Sequence, residues 1–212
     1  RGALRKGSRI TAATQLLTYS DMTIFENRGR RTLNEASTVE EFLGLRADLG
    51  AFALGSYFAE LLETVSAEEY PDPPVLQLGL NSLYALSRAL CPPEQIKAVF
   101  ELRLMCLAGY EPDLSCCARC GAPEPVEPWL SLRGGAVYCV QCRGASSSAV
   151  TPLLPETLAA MRHVVNADPK KIFSFTLGDA GRRQLARVCE EYTAMQLERG
   201  FASLDYWKKV KD

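Results

Sequence analysis

The chain has 212 residues, room for one large domain or two or three small ones. An apolar fraction of 47% and a charged fraction of 23% are those of an ordinary soluble globular protein, with no run of eighteen apolar residues to span a membrane and no signal-peptide pattern. The net charge of −1 points to no partner class until it is resolved along the chain.

Residues 1–36 read as β structure with basic decoration. Arg1, Arg5, Lys6 and Arg9 form a cationic run beside Gly2, Gly7 and Ser8. A hairpin is expected next, with arms Met22–Phe25 and Arg31–Leu33 around a turn at Asn27-Arg28-Gly29. Within residues 1–31, seven Lys/Arg (the four above with Arg28, Arg30 and Arg31) face only Asp21 and Glu26, a local charge of about +5. Such a cluster is usually a solvated face. Here the interspersed glycines and the strand–loop setting are also features of a phosphate-binding surface, so solvation and nucleic-acid contact both stay open.

From residue 37 the pattern turns helical. Phe42 and Leu45 suggest a short helix. Leu54, Tyr57, Phe58, Leu61, Leu62 and Val65 then recur at helical spacing, with Asp48 placed to cap their start. Residues 35–69 carry eight acidic side chains and only Arg46, a face that repels DNA. Pro71-Asp72-Pro73-Pro74 ends this helix and opens the next, whose expected core stripe is Leu76, Leu80, Leu83, Leu86 and Leu90. Pro92-Pro93 punctuates again before a stripe of Ile96, Val99, Phe100, Leu104 and Leu107, closed by Gly109 as a C′ glycine.

The most specific signal follows. Cys117-Ala-Arg-Cys120 and Cys139-Val-Gln-Cys142 are two C-x2-C knuckles separated by eighteen residues, the spacing of a four-thiolate tetrahedral zinc site. Gly121 and Gly144 would give the backbone freedom after each knuckle. Between them two short arms, Pro128–Leu132 and Ala136–Tyr138, flank a turn at Arg133-Gly134-Gly135, as in a zinc ribbon. Four cysteine ligands leave no open position for water, so Zn2+ here, one per chain, is structural. Cys116 competes with Cys117 as a ligand, but Cys116 to Cys120 leaves three residues between, and Cys117 is favoured. Cys91, Cys106 and Cys189 lie in apolar helical patterns as core thiols. Eight cysteines used this way fit a reducing cytosol better than a disulfide scaffold.

Ser146-Ser147-Ser148 reads as a polar connector, and Pro152 and Pro155 lead into a helix with Leu158, Met161, Val164 and Val165 on one side. The lone His163 has no partner acid or nucleophile in view and is read as a surface or packing residue. The last helix starts near Asp179 and aligns Leu185, Val188, Tyr192 and Met195. Arg182, Arg183 and Arg187 line its first half against the helix dipole; full solvation would make that cheap, and an acidic partner or phosphate would relieve it.

The order of these parts resembles the RecO family of bacterial recombination mediators. The run from Arg1 to Arg9 is similar to that family's Lys/Arg-rich loop in an N-terminal OB-fold, and residues 15–36 look like the barrel strands after it. Phe42–Leu49 and Ser56–Leu61 resemble the helical segment past the barrel. Phe100–Leu104 through Gly109-Tyr110-Glu111-Pro112 leads into Cys117-Ala118-Arg119-Cys120-Gly121 as in zinc-bearing members. The family begins with further barrel strands, so a segment of about forty residues is expected to precede Arg1, since a five-stranded barrel cannot close from residues 1–36.

The resemblance implies an α+β, mostly helical fold. Residues 1–37 are the C-terminal part of an OB-fold barrel, 38–115 and 146–212 the two parts of a helical domain, and 116–145 the inserted four-cysteine zinc ribbon. It implies a cytoplasmic, nucleoid-associated bacterial protein that is not an enzyme. Such a protein binds single- and double-stranded DNA, anneals complementary strands, and with RecR loads RecA onto strands coated by single-stranded DNA-binding protein. Phosphate contact then falls to Arg1, Arg5, Lys6 and Arg9, with Arg28, Arg30 and Arg31 second. Arg182, Arg183 and Arg187 form a further patch for DNA or for the acidic C-terminal tail of single-stranded DNA-binding protein. Two other classes compete: a protein-interaction adaptor without DNA binding, and an enzyme. Four-cysteine coordination argues against a metal hydrolase, and the lack of a βαβ pattern argues against a dithiol oxidoreductase.

Overall fold

The computed structural model describes residues 9–68, 70–146 and 148–211, apart from the Arg9 side chain. A short helix α1 (Arg9–Ala13) precedes a hairpin of β1 (Tyr19–Asn27) and β2 (Arg30–Glu40), paired antiparallel from Asn27↔Arg30 to Tyr19↔Glu40. Arg28 and Gly29 both take positive φ, 52° and 73°, the primed turn whose twist matches that of paired strands. The β content therefore begins later and runs longer than its sequence signal. Among the described residues it is a two-stranded sheet and not a closed barrel.

Helices follow: α2 (Leu43–Arg46), α3 (Leu49–Val65), α4 (Pro73–Ser87) and α5 (Pro93–Leu107). The Asp48 carboxylate accepts the Ala51 amide at 2.7 Å and opens α3, which buries Leu54, Tyr57, Phe58 and Leu61 as its pattern predicts. Asp72 caps α4 in the same way through Val75. The buried face of α4 keeps only part of the expected leucine stripe: Leu83 and Leu86 are buried and Leu80 half-buried on the core. Val75, Leu78, Gly79, Ser82, Leu83 and Leu86 face inward, while Leu76 and Leu90 are exposed. Gly79 sets this rotation: a Cβ there would lie 2.8 Å from Leu62 Cδ1, so α3 and α4 approach closely at a position with no side chain. Helix α5 is buried on nearly every face, stacks Phe100 on Phe58 at 4.2 Å between ring centroids, and packs against α3, α4 and two of the later helices. It ends as expected at Gly109, with φ 88°.

Beyond the cysteine region come α6 (Pro155–Asn166), α7 (Asp179–Leu197) and α8 (Ala202–Val210). Met195 of α7 is exposed, unlike Leu185, Val188 and Tyr192. His163 turns its ring edge toward Phe175, and its Nε2 lies 3.0 Å from the Lys171 carbonyl oxygen, a packing role. Cys189 is buried, while Cys91 and Cys106 are half-buried; burial pushes their thiols up, to about 11 for Cys91 and about 12 for Cys106. Among the described residues no helix is long and apolar enough to cross a membrane.

At the centre of the helices sits an ionic network without a hydrophobic-pattern signal. Lys97 on α5 is fully enclosed and spends its three donors on Glu101 at 3.0 Å, Glu190 of α7 at 2.9 Å and the Ala186 carbonyl at 3.2 Å. The Tyr57 hydroxyl donates to Glu101 at 2.8 Å. Lys208 of α8 pairs with Glu190 from the solvent side. Burial raises the Glu190 carboxyl, but Lys97 and Lys208 outweigh it and hold the group below its ordinary value of 4.5. The unfolded chain therefore takes this proton more readily. Glu190's contribution is complete above the ordinary carboxylate range and is lost as pH falls through the lower folded value. In urea titrations from pH 7 to pH 3, the native chain should lose stability on the acid side and Glu190→Gln should lose less; equal acid slopes would contradict the pairing.

Candidate metal centre and basic groove

After α5 the chain crosses to a three-stranded antiparallel sheet, β4–β3–β5, of β3 (Trp129–Ser131), β4 (Ala136–Tyr138) and β5 (Val150–Pro152). The first two are the expected ribbon arms. The third is new: the serine connector runs into a strand that pairs Trp129 with Pro152. Gly135 makes the turn between the arms with φ 59°.

This frame brings the two knuckles together. One sulfur each from Cys117, Cys120, Cys139 and Cys142 lies within 4.8 Å of the others. Cys117 and Cys139 are buried, Cys120 is exposed, and Cys142 is half-buried. Cys116 stands outside the group, with its sulfur 3.7 Å from the Ser115 hydroxyl. The first knuckle closes through Gly121, whose amide donates to the Cys117 carbonyl at 2.9 Å with φ 73°. The second closes through the Cys142 and Arg143 amides on the Cys139 carbonyl and enters a 3-10 turn over Arg143–Ala145. Gly144 lies in that turn without positive φ and with open space where a Cβ would stand, so the freedom expected of it is unused.

The sulfurs act as one set. Burial raises the Cys117 thiol, yet amides of Cys120, Cys139 and Arg119 donating to its sulfur bring it down to about 6. Hydrogen bonding, first with Cys139, pushes Cys142 up to about 12. A cation among the four would replace this proton sharing with four thiolates. Sequence reasoning missed what docks the unit to the helices: Arg162 of α6. Its guanidinium donates to the carbonyls of Leu114, Ser115 and Pro123 at 2.8, 3.2 and 2.6 Å and pairs with Glu124 at 2.9 Å. Only its place beside His163 was visible in the sequence.

The cationic candidates are distributed unevenly. Arg1, Arg5 and Lys6 lie outside the described residues; Arg9 opens α1, with its side chain outside the description. Arg28, Arg30 and Arg31 cluster, exposed, at the hairpin tip, where Arg31 pairs with Glu26 at 3.1 Å. Arg182, Arg183 and Arg187 line a groove of about 470 Å³ between α5, α7 and α8, floored by Trp207. Asp179 pairs with Arg182 at 2.6 Å and offsets the clash with the helix dipole, and Glu191 holds Arg187 at 3.0 Å. Lys208 and Lys211 face them, so six cationic and two acidic side chains border the groove. The sequence grouped the arginines but not the lysines, since the helix near Asp179 was taken as the last and α8 was not foreseen.

The comparisons with known proteins agree with one another. Residues 46–205 match the sequence model of the family described as "Recombination protein O C terminal". The chain is 31% identical over 210 residues to the DNA repair protein RecO of Acetivibrio thermocellus, covering 99% of this chain and 83% of that one. It is 28% identical over 211 residues to the DNA repair protein RecO of Alkaliphilus metalliredigens, covering 99% and 85%. Against the protein of the same name from Heliobacterium modesticaldum it is 31% identical over 199 residues, covering 90% and 70%. These names describe DNA repair and specify no reaction. Matched along nearly its whole length by such relatives, and over residues 46–205 by the family's own model, the chain belongs to the RecO family of DNA-repair proteins.

Proposed function

We propose that this chain is a non-enzymatic recombination mediator that binds and anneals single-stranded DNA and, with RecR, helps load RecA onto strands coated by single-stranded DNA-binding protein. The observation that carries this reading is a hairpin tipped by three exposed arginines in a member of a DNA-repair family. A phosphate backbone needs cations that can approach it, and neither Arg28 nor Arg30 has a carboxylate partner among the described residues. Arg1, Arg5, Lys6 and Arg9 extend that surface, on a hairpin taken here as part of an OB-fold.

The four sulfurs hold zinc in this reading. A tetrahedral ion with Zn–S of about 2.3 Å needs sulfurs roughly 3.8 Å apart, and Cys117–Cys139 and Cys120–Cys139 each stand at 3.9 Å. All four ligands come from the chain, so the ion fixes shape and does no chemistry. The groove of Arg182, Arg183 and Arg187 suits the acidic tail of single-stranded DNA-binding protein better than duplex DNA, because it is concave and floored by an indole.

The deciding experiment is annealing of complementary oligonucleotides coated with single-stranded DNA-binding protein. The native chain should accelerate annealing. Arg5→Ala/Lys6→Ala/Arg9→Ala should weaken strand binding regardless of sequence and flatten the salt slope by about 0.7 per lost single-strand phosphate contact. Oligonucleotide binding absent at low salt would leave the adaptor reading instead.

A further inference from the structure

The three-stranded sheet of the cysteine unit has two unlike faces. Leu130 and Val137 point into the hydrophobic core, each with no exposed surface. Strand alternation sends Trp129 and Tyr138 the other way. Direct pairing aligns them: Tyr138 opposes Trp129 across one ladder and Pro152 opposes Trp129 across the other. The outer face thus carries a row of three flat side chains, one per strand. Its next row is closed, since Ser131 is buried and bonded to the Ser148 hydroxyl at 2.8 Å.

Above this row stands Arg143, its guanidinium carbon 4.3 Å from the Trp129 ring centroid. Arg143 is exposed and has no carboxylate partner among the described residues; the same holds for Arg119 and Arg133 of this unit. A planar cation over an aromatic ring, with rings beside it, is how proteins hold an unpaired base, which can stack on either surface.

We propose that the outer face of this sheet, Trp129 with Tyr138, Pro152 and Arg143, is a stacking platform for unpaired DNA bases, separate from the cationic hairpin. The proposal rests on the reading that the chain binds single strands and assigns part of that binding to the metal unit. Stacking is insensitive to base identity, because every base has a π face, so the platform grips strands without sequence preference. Duplex DNA, with its bases already stacked, gains nothing from it.

The chain has two tryptophans; Trp207 is only 3% exposed and Trp129 is half-buried, so Trp129 is the more accessible of the two. Titrating a thymidine homopolymer into the native, metal-loaded chain should quench tryptophan emission, and the quench should vanish in Trp129→Phe. Trp129→Ala should weaken single-strand affinity about tenfold while leaving duplex affinity and the salt slope unchanged, unlike loss of a phosphate contact. Should Trp129→Ala lose metal or thermal stability, Arg143→Ala, an exposed change, takes its place with a smaller loss of single-strand affinity alone. Native binding with no quench, or equal losses on single strands and duplex, overturns the platform. A native chain that binds no oligonucleotide overturns the DNA-binding reading on which the platform rests.

Discussion

Glu101→Ala should destabilise the protein by about 3–5 kcal/mol, the usual cost of stripping one partner from a buried ion pair. Against a typical total of about 5–15 kcal/mol, that is enough to leave a marginal fold. The size follows from what remains. With Glu101 gone, the fully enclosed Lys97 ammonium keeps only Glu190 and one carbonyl, and the Tyr57 hydroxyl loses its acceptor in the core. Lys97→Met should cost a similar amount by stranding the Glu101 carboxylate. Lys97→Met/Glu101→Leu should recover most of the loss, because the cost lies in an orphaned charge and not in the pair's net value. Urea denaturation of the native chain, Glu101→Leu, Lys97→Met and Lys97→Met/Glu101→Leu tests this as a double-mutant cycle. A cost below about 1 kcal/mol for Glu101→Ala would mean that water reaches the site.

Why did the sequence hide this network when it displayed the four-cysteine cluster? Thiolate spacing is local: two residues between ligands and eighteen between pairs can be counted on one strand of text. Lys97, Glu101, Glu190 and Lys208 come from three helices, and each alone reads as a solvated charge at helical spacing. The α4 face was read only in part for a related reason. Leucines were counted and Gly79 was not, yet the close approach to Leu62 is what turns the helix. Strand β5 was hidden by the serines before it, Pro152 at its end and Pro155 beyond, since its pairing with β3 is a tertiary fact that propensity does not carry. The helix starts at Asp48 and Asp72 and the stop at Gly109 were legible because capping is decided within one turn. Of the cationic candidates, the hairpin arginines were legible as a cluster, whereas the groove emerged only when α8, packed on α3, brought Lys208 and Lys211 beside α7 and α5.

Loss of the proposed zinc should have the other large effect. Cys120→Ser, at the exposed ligand, should abolish stoichiometric zinc and unfold the cysteine unit while α3, α4 and α5 keep their amide protection. In zinc-finger peptides the ion supplies an apparent 10–16 kcal/mol or so, far more than three short strands can supply. Here the unit also leans on the body. Leu130 and Val137 sit in the main core, Arg162 holds the carbonyls of Leu114, Ser115 and Pro123, and Gln196 donates to the Leu132 carbonyl at 2.7 Å. The loss should therefore spread past the knuckles. Leu153 donates to the Pro128 carbonyl at 2.7 Å, so exchange protection should collapse from about residue 113 to the start of α6 and stop there. Cys116→Ser is the control: its sulfur lies outside the four, and it should keep full zinc and native protection. If Cys120→Ser retains one zinc per chain with unchanged exchange, the ligand set is wrong. If instead it loses zinc and the unit stays protected, packing on α6 and α7 holds the fold and the ion only reinforces it.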